Sequence, residues 1–397
     1  MSSSTVEPRR SAGAAVGAIV LYWAALGPTP APAGPVQWVD MAGVRLTPTP
    51  ELRPSYSTDD PPRGLLGSDT SGAVFAGCSD TGWDARNPRV WRLGRYVPDD
   101  QRVWVNTNAV LALTRRAADL WVLGRPGLFR MHAGELERVG GVRATNAPSP
   151  VGVSMGEPPP RLIPAEGISG AALAVDSDGV AWALGTGGSG VRAYIPPLRE
   201  PPTVDRSWYT AHFHPPDGGR SALAADPSMG VWLYTPSTRD PGDSLLHLRV
   251  EGTPPDARIV VADDSPRFEA MPSLVHPHMT VGLDHRALIA GQTLAGDLLV
   301  EIAGAAVSSQ TIPPALTHAR RVTAVEADRQ GCVYLATDGA GVLTYREGEW
   351  GVHPITEHLP VLEGSDLKPV DDILVTEDGT LYAACQFQVV IWTPDQP

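Results

Sequence analysis

The chain has 397 residues, 42% hydrophobic and 19% charged, which suits one large domain or two to three average ones and argues against global disorder. The formal net charge of −13, with no basic stripe, argues against a nucleic-acid partner, because a phosphate backbone requires clustered basic side chains. The 40 prolines and 41 glycines predict many turns between short strands, since proline breaks helix interiors and glycine supplies positive φ.

Residues 1–34 form an N-terminal segment with two interpretations. Residues 11–26 are apolar, follow two arginines and precede an Ala-Pro-Ala sequence at 31–33, the order found in a signal peptide. Alternatively, residues 17–24 form a strand of the repeat that begins further along the chain. Three cysteines without a disulfide or zinc spacing favour a reducing compartment, so we expect a cytoplasmic protein, with export as the alternative.

A seven-unit repeat occupies residues 64–393. In its clearest copies an acidic residue is followed after three positions by glycine, and after three more by an aromatic residue. These copies are Asp69-Gly72-Phe75, Asp176-Gly179-Trp182 and Asp328-Gly331-Tyr334. Less regular units place Trp121, Trp232, Leu288 and Tyr382 at the aromatic position, which we call the anchor. Successive anchors lie 46 to 61 residues apart, the spacing of four-stranded propeller blades.

The chemistry of one unit predicts a blade. Asp328 is expected to accept backbone N–H groups in a turn, Gly331 to take positive φ, and Tyr334 to pack between neighbouring sheets. We therefore predict an all-β fold, a single β-propeller of seven four-stranded antiparallel blades, with eight blades as the alternative.

An N-terminal strand is expected to complete the last blade. The last unit supplies three strands, and an uncovered edge strand promotes aggregation. Within the propeller domain, residues 35–397, we assign residues 35–50 to this role, and 44–49 in particular, so that the strand closes the ring.

The repeat resembles that of the two-component regulator propellers, whose usual form is D-x-x-G-x-L-W-x-G-T followed by a glycine, an aliphatic residue and an aromatic. Residues 174–194 and 324–350 carry this resemblance most clearly. It implies a β-propeller, and in that family the propeller usually forms the sensor region of a membrane histidine kinase. No kinase or transmembrane segment is recognisable in this sequence, so we carry over the architecture and not the signalling role.

Two motifs that imitate active sites are better explained as loops. The run 185–190 matches G-x-G-x-x-G, but a strand-like segment follows it where a dinucleotide site requires a helix. Residues 152–156 match the nucleophile elbow, but the prolines around them prevent a helix from starting there. We expect no catalytic residue and no cofactor from either motif.

The histidine pairs are the candidate metal ligands, because alternate residues of a strand share a face. They are His212, His214, His276 and His278. We expect them to be packing or solvent-facing side chains and predict no metal.

The remaining motifs have structural interpretations. We expect buried thiols at Cys78, Cys332 and Cys385. Solvated faces are predicted for the pairs Arg115-Arg116 and Arg320-Arg321, and turns or strand edges for Asp99-Asp100, Asp263-Asp264 and Asp371-Asp372. The aromatic residues Trp83, Trp91, Tyr96 and Trp104 are assigned to the core.

These observations predict a non-enzymatic binding module that recognises a protein or peptide through one face of the ring. The sequence carries no sign of firm membrane association and does not define the oligomeric state. The alternatives are a metal-dependent propeller enzyme of lactonase or lyase type, and an exported ligand-sensing propeller.

Overall fold

A computed structural model describes most of the repeat region and part of the N-terminal segment. The described residues are 36–40, 51–52, 63–78, 90–93, 102–103, 110–124, 127–132, 135–139, 172–184, 190–196, 209–213, 221–226, 229–235, 245–254, 256–262, 272–303, 306–317, 321–362, 364–386 and 388–394.

The fold is all-β, and the described residues form seven four-stranded antiparallel sheets. In sheets 1 to 3 the strands follow chain order as meanders. Sheet 1 contains β3 (Gly64–Ser68), β4 (Val74–Cys78), β5 (Val90–Leu93) and β6 (Arg102–Val103). Sheet 2 contains β7 (Val110–Leu113), β8 (Leu120–Gly124), β9 (Gly127–His132) and β10 (Glu135–Arg138). Sheet 3 contains β11 (Ala172–Val175), β12 (Ala181–Leu184), β13 (Val191–Ile195) and β14 (Tyr209–Phe213).

Sheets 4 to 6 repeat the meander, and sheet 7 differs only in the source of one strand. Sheet 4 contains β15 (Ala222–Ala225), β16 (Val231–Tyr234), β17 (Leu245–Glu251) and β18 (Arg258–Val261). Sheet 5 contains β19 (Val275–Val281), β20 (Ala287–Thr293), β21 (Gly296–Ala303) and β22 (Ala306–Thr311). Sheet 6 contains β23 (Val322–Ala327), β24 (Val333–Thr337), β25 (Val342–Arg346) and β26 (Glu349–Val352). Sheet 7 contains β28 (Asp372–Val375), β29 (Leu381–Cys385), β30 (Gln388–Trp392) and β1 (Val36–Asp40).

The fourth strand of sheet 7 comes from the N-terminal part of the chain. β1 pairs antiparallel with β30, and Val36 lies opposite Trp392. This strand falls within the expected range 35–50, but it precedes the favoured segment 44–49, which lies outside the described residues. Both segments alternate apolar and polar residues, so their patterns did not distinguish them. Residues 17–24, on which an eighth blade depends, also lie outside the described residues.

Two short helices and one small parallel pair lie between sheets. Helix α1 spans Pro314–Thr317, and a 3-10 helix spans Pro354–His358. β2 (Glu51–Leu52) pairs in parallel with β27 (Val361–Leu362). Lys368, the only lysine of the chain, donates its Nζ to the carbonyl oxygen of Thr356 at 2.7 Å and so fixes the end of the 3-10 helix. No helix among the described residues has the length and apolar character needed to cross a membrane.

Neighbouring sheets pack face to face, and the core is divided among their interfaces. The first strands of the sheets contact one another in chain order, and β28 of sheet 7 contacts β3 of sheet 1. The described residues contain seven buried apolar clusters, each shared by two successive sheets or by sheets 7 and 1. Burial at the interfaces between sheets therefore supplies most of the hydrophobic stabilisation.

The predicted repeat corresponds to the second strand of every sheet. The seven anchors lie on β4, β8, β12, β16, β20, β24 and β29, and each packs in the cluster shared with the following sheet. The prediction that Tyr334 packs between sheets is therefore confirmed.

The turn between the first and second strands has the predicted chemistry. In sheet 6, Oδ1 of Asp328 accepts the backbone N–H groups of Gln330 and Cys332, both at 2.9 Å. The Tyr334 hydroxyl donates to Oδ2 at 3.0 Å. Gly331 has a φ of 81°, which a residue with a Cβ adopts only with strain. The opening acid, glycine and aromatic of the unit thus form one hydrogen-bonded turn.

Several other predictions can be compared with the described residues. Cys385 is buried as expected, whereas Cys332 is half-buried and the side chain of Cys78 is not described. After Gly190, β13 follows where a dinucleotide site requires a helix. Residues 152–156, Asp99-Asp100 and Asp263-Asp264 lie outside the described residues, as do Trp83, Tyr96 and Trp104. Trp91 lies on β5, and nothing is described of its side chain.

Candidate functional site

A cavity of about 990 Å³ lies where the first strands of the sheets meet. The first strands, and the turns that follow them, supply its lining. This volume is at the upper end of the range found for ligand sites. We call it the central cavity.

Sheets 3 and 4 contribute both apolar side chains and the polar residues Asp176, Ser177, Ser221 and Asp226 to the lining of the central cavity. Four alanines line it there: Ala172, Ala174, Ala222 and Ala224. Ala174 and Ala222 are buried, and they also belong to the apolar clusters between neighbouring sheets. The lining residues from sheets 1, 2, 5 and 7 also include charged and polar groups.

Charged side chains from three sheets meet beside the cavity. Arg115 and Arg116 follow β7 in sheet 2, and they form ion pairs with Asp372 of sheet 7 and Glu326 of sheet 6, respectively. Nη1 of Arg115 also lies 3.6 Å from Oε1 of Glu326. The hydroxyl of Thr280, in sheet 5, donates to the same Oε1 at 2.8 Å. We call Arg115, Arg116, Glu326 and Asp372 the central ion-pair cluster.

Hydrogen bonds to Val281 and Ser68 hold Arg116 of this cluster in place. Nη1 of Arg116 donates to the carbonyl oxygen of Val281 at 2.9 Å, and its backbone N–H donates to Oγ of Ser68 at 3.1 Å. Arg116 has a φ of 56°, an uncommon conformation for a residue with a side chain. Burial lowers the pKa of Arg115, but Asp372 and Glu326 outweigh it and raise that pKa, so the guanidinium stays charged.

The structure corrects two predictions here. Arg115 and Arg116 are not a solvated face, because only 23% and 27% of their side chains are exposed and both are ion-paired. Asp371 and Asp372 do not deter pairing at a strand edge: Oδ2 of Asp372 accepts the N–H of Leu66 in sheet 1 at 2.8 Å. The sequence pattern could not reveal this, since the partners are far apart in the chain. Arg321, in the other predicted basic face, pairs with Asp338.

An irregular strand presents His278 to the central cavity. The pairing of β19 with β20 shifts register between Val275 and His278, and His276 between them has a φ of 53°. β-bulges of this kind redirect side chains and occur often beside functional sites. His278 lines the cavity, and among the described residues its ring has no hydrogen-bond partner.

Burial and nearby basic groups oppose protonation of His278. Burial lowers its pKa most, followed by Arg63, Arg321, His276 and Arg115, to about 3. The imidazole is therefore neutral at physiological pH, with one N–H donor and one acceptor nitrogen.

Asp371 borders the same end of the cavity. Its Oδ2 accepts the backbone N–H groups of Gly64 at 2.9 Å and Gln386 at 2.6 Å. Burial raises the pKa of Asp371 to about 6, although these two hydrogen bonds and the positive charge of Arg63 oppose the rise. A Cβ at Gly64 would lie 2.8 Å from that of Ala384, so the close approach of sheets 1 and 7 requires glycine here.

The structure separates the two predicted histidine pairs. His276 and His278 lie on β19, the first strand of sheet 5, whereas His212 lies on β14, the fourth strand of sheet 3, and its side chain is not described. His214 lies outside the described residues. Within the described part of the chain, no group of three or more His, Cys, Asp or Glu side chains is placed to hold a metal ion.

Two units lack the acid-glycine signature of the repeat, and this absence is the sequence feature that best indicates the cavity lining. The two units without the acid-glycine signature are those of sheets 2 and 5, and they supply Arg115, Arg116 and His285 to the cavity lining. His285 stands three residues before its anchor, where the units of sheets 1, 3, 6 and 7 have glycine, and it has a φ of 63°. Departures from a structural repeat are expected at functional positions.

No known protein family and no curated protein matches the chain. Solved structures similar to it are β-propeller proteins. A catalytically inactive H270A virginiamycin B lyase from Staphylococcus aureus, with quinupristin, has a TM-score of 0.49 at 12% identity, covering 90% of this chain and 98% of that one.

Two further solved structures are similar to the chain. YCF48 from Cyanidioschyzon merolae has a TM-score of 0.43 at 13% identity, with 91% and 100% of the two chains covered. The extracellular domain of the putative one-component system BT4673 from B. thetaiotaomicron has a TM-score of 0.41 at 9% identity, with 90% of this chain and 40% of that chain covered. At these identities the similarity concerns the fold and does not indicate a function.

Proposed function

We propose that the chain is a seven-bladed β-propeller, closed by the strand Val36–Asp40, that acts as a non-enzymatic binding module. Its central cavity receives part of a protein or peptide partner. The proposal rests on the central ion-pair cluster. Its charged groups pair with one another, and a cavity of about 990 Å³ lies beside them.

The hydrogen bonds of the acidic side chains favour binding over catalysis. Glu326 is fully buried and accepts from Arg116 and Thr280. Asp372 accepts from Arg115 and from two backbone N–H groups. A general acid or base must reach the substrate, and a metal ligand must present its lone pairs to the metal. The oxygen lone pairs of these two carboxylates already accept hydrogen bonds within the protein.

Site-specific crosslinking of the full chain tests the proposal. A photo-crosslinking amino acid at Thr70, an exposed residue of the cavity lining, should capture a discrete partner in the native host. Adding Ala172→Leu, which narrows the cavity from sheet 3, should abolish this capture. Adding Leu294→Ser, in an exposed hairpin, should not. If Ala172→Leu captures the same partner equally well and its melting temperature is unchanged, the cavity is not the binding site.

A metal-dependent lactonase or lyase is the second candidate, and the lining of the cavity by both His278 and Asp371 favours it. Both have displaced pKa values, and such groups are common in active sites. Elemental analysis of the purified chain tests this candidate. A stoichiometric divalent metal that is lost in Asp371→Asn and accompanies turnover of a lactone would replace the binding proposal.

A further inference from the structure

We propose that two copies of the chain associate through β22, the outer strand of sheet 5, to form a symmetric dimer. The two strands pair antiparallel about a two-fold axis at Ser309, so that two four-stranded sheets become one continuous sheet. The dimer goes beyond the proposed binding function and does not depend on the central cavity. Three features carry it: the exposed edge of β22, the directions of its backbone groups and a residue pattern that is complementary to itself.

β22 is an open sheet edge. Among the described strands it pairs with β21 alone, and β19, at the opposite edge of sheet 5, is the strand that lines the central cavity. Four of the six residues of β22 are exposed. They are Ala306, Ser308, Ser309 and Thr311. The outer edge of this strand therefore offers backbone N–H and C=O groups to another strand.

The other outer strands carry features that discourage such pairing. Charged residues, prolines, bulges and shortness all protect sheet edges in natural proteins. The outer strands of sheets 1, 2, 4, 6 and 7 each contain a charged residue, and the outer strand of sheet 3 contains His212. β22 contains no charged residue, histidine or proline, and it pairs with β21 in a regular register. At six residues it is also the longest of the seven outer strands.

The hydrogen bonds of sheet 5 show which backbone groups of β22 face outward. The N–H of Ile312 donates to the carbonyl oxygen of Asp297 at 3.0 Å, in the same register as the β21–β22 pairs. Opposed residues of an antiparallel pair alternate between hydrogen-bonded and non-hydrogen-bonded positions. Every second residue before Ile312 therefore directs its backbone groups to β21, and the residues between direct theirs away from the sheet. These outward residues are Val307, Ser309 and Thr311.

A second copy of β22 fits the outward groups. With the two-fold axis at Ser309, this serine lies opposite Ser309 of the partner subunit, and Val307 lies opposite Thr311 of the partner subunit. Every outward residue then faces an outward residue, which gives about six backbone hydrogen bonds. Valine and threonine are β-branched and suit a pleated surface, and paired hydroxyl side chains hydrogen-bond across strands.

Charge also favours a second copy as the occupant of this edge. A two-fold interface requires a surface that is complementary to itself. The chain has a net charge of −13, so two copies repel each other and an interface between them requires an uncharged surface. The pairs formed by β22 are valine with threonine, serine with glutamine and serine with serine, and none of them opposes two charges.

Sedimentation equilibrium of the full-length protein at a series of concentrations tests the dimer. The wild type should change from the monomer mass of 42.0 kDa towards twice that mass as the concentration rises. A monomer at every concentration would overturn the proposal. A monomer that binds a different protein from the native host through β22 would overturn it as well.

Charge exchange at Ser309 tests the position of the axis. Ser309→Glu and Ser309→Lys each oppose two like charges, so each variant alone should dimerise more weakly by about tenfold or more. An equimolar mixture of the two should recover the dimer, because opposite charges then face each other. Val352→Glu, on the exposed outer strand of sheet 6, is the control and should dimerise like the wild type. A mixture that stays monomeric, or a Ser309→Glu protein that dimerises normally, would contradict pairing through β22.

Hydrogen exchange resolved to single residues requires no variant, so it decides the question if the charged proteins do not fold. The amides of Ser309 and Thr311 face outward and should exchange more slowly as the concentration of the wild type rises. Those of Ser308 and Gln310 already bond to β21 and should change much less. Equal exchange of the outward amides in monomer and dimer would show that the dimer forms elsewhere.

Discussion

The indole Nε1 of Trp182 donates a hydrogen bond to Oδ2 of Asp176 at 2.8 Å, six residues earlier in the chain. The other oxygen, Oδ1, accepts the backbone N–H groups of Asp178 and Val180, both at 3.0 Å. A single carboxylate thus closes the turn and orients the anchor that packs against sheet 4. The same arrangement, with a tyrosine, joins Asp328 and Tyr334 in sheet 6.

Asp176→Ala should destabilise the fold by about 2 to 3 kcal/mol, because it leaves the buried indole N–H and two backbone N–H groups without an acceptor. Asp69→Ala is the matched control: Asp69 accepts the backbone N–H groups of Ser71 and Ala73, but its anchor, Phe75, donates nothing. Urea unfolding should show a smaller loss for Asp69→Ala. Equal losses would mean that the indole bond contributes nothing measurable.

Glu326→Gln should cost roughly 3 kcal/mol, because it leaves two partly buried guanidinium groups beside a neutral amide. Glu377→Gln is the control, since Glu377 pairs with Arg329 at 2.7 Å but 69% of its side chain is exposed. Exposed pairs contribute little, so this change should stay within about 0.5 kcal/mol. Denaturant midpoints measure both changes, and a similar small shift in the two variants would contradict a structural role for the central ion-pair cluster.

His353 should make the protein less stable as the pH falls from about 6.5 to about 4. Burial lowers the pKa of His353 to about 4, so the unfolded chain binds a proton in this range and the folded chain does not. Its Nδ1 accepts the N–H of Ile355 at 3.1 Å at the start of the 3-10 helix, and the ring packs between Tyr334 and Trp392.

His353→Asn isolates this contribution, because an asparagine oxygen can accept the same N–H and does not titrate. Measured by urea unfolding between pH 7 and 4.5, the stability of the variant relative to the wild type should improve as the pH falls. His278, whose pKa is lowered as well, remains in both proteins and cancels in the comparison. A difference that does not change with pH would show that His353 is protonated equally in the folded and unfolded states.

Asp297→Asn should stabilise the protein at pH 8, by roughly 2 kcal/mol, and much less at pH 5. Burial, and then the charge of Asp338, raise the pKa of Asp297 to about 6, and its buried Oδ1 has no hydrogen-bond partner. The stability that this group contributes is complete below about pH 4 and is lost as the pH rises through 6, where a buried charge appears. Thermal unfolding at the two pH values measures the effect, and an equal gain at both would contradict it.

Much of the fold follows from local chemistry, and for that reason it could be predicted. Asp328, Gly331 and Tyr334 lie within seven consecutive residues, and each is suited to its position in one turn, so sequence spacing alone identifies them. The second strands and the three-stranded last unit follow from the same repeat. The pairing of Val36–Asp40 with Gln388–Trp392 depends on two segments at opposite ends of the chain, and no local pattern fixes its register.

The candidate site depends on contacts between distant residues, which the sequence does not reveal. Arg116 and Glu326 are 210 positions apart, and only the arrangement of the sheets brings them together. In the sequence, two adjacent arginines after a short apolar run suggest an exposed turn. His278 was identified as a candidate from its spacing, but the irregular strand that turns it toward the cavity could not be predicted.

The antiparallel pairing of β1 with β30 has a consequence for where the polypeptide can begin and end. Val36, the first residue of β1, lies opposite Trp392, the last of β30, so a hairpin connection between them would make sheet 7 a meander like the other six. Such a connection could take the place of an exposed hairpin elsewhere in the fold. A circular permutant with new termini at Leu294, which lies fully exposed between β20 and β21, should keep every strand pair in place.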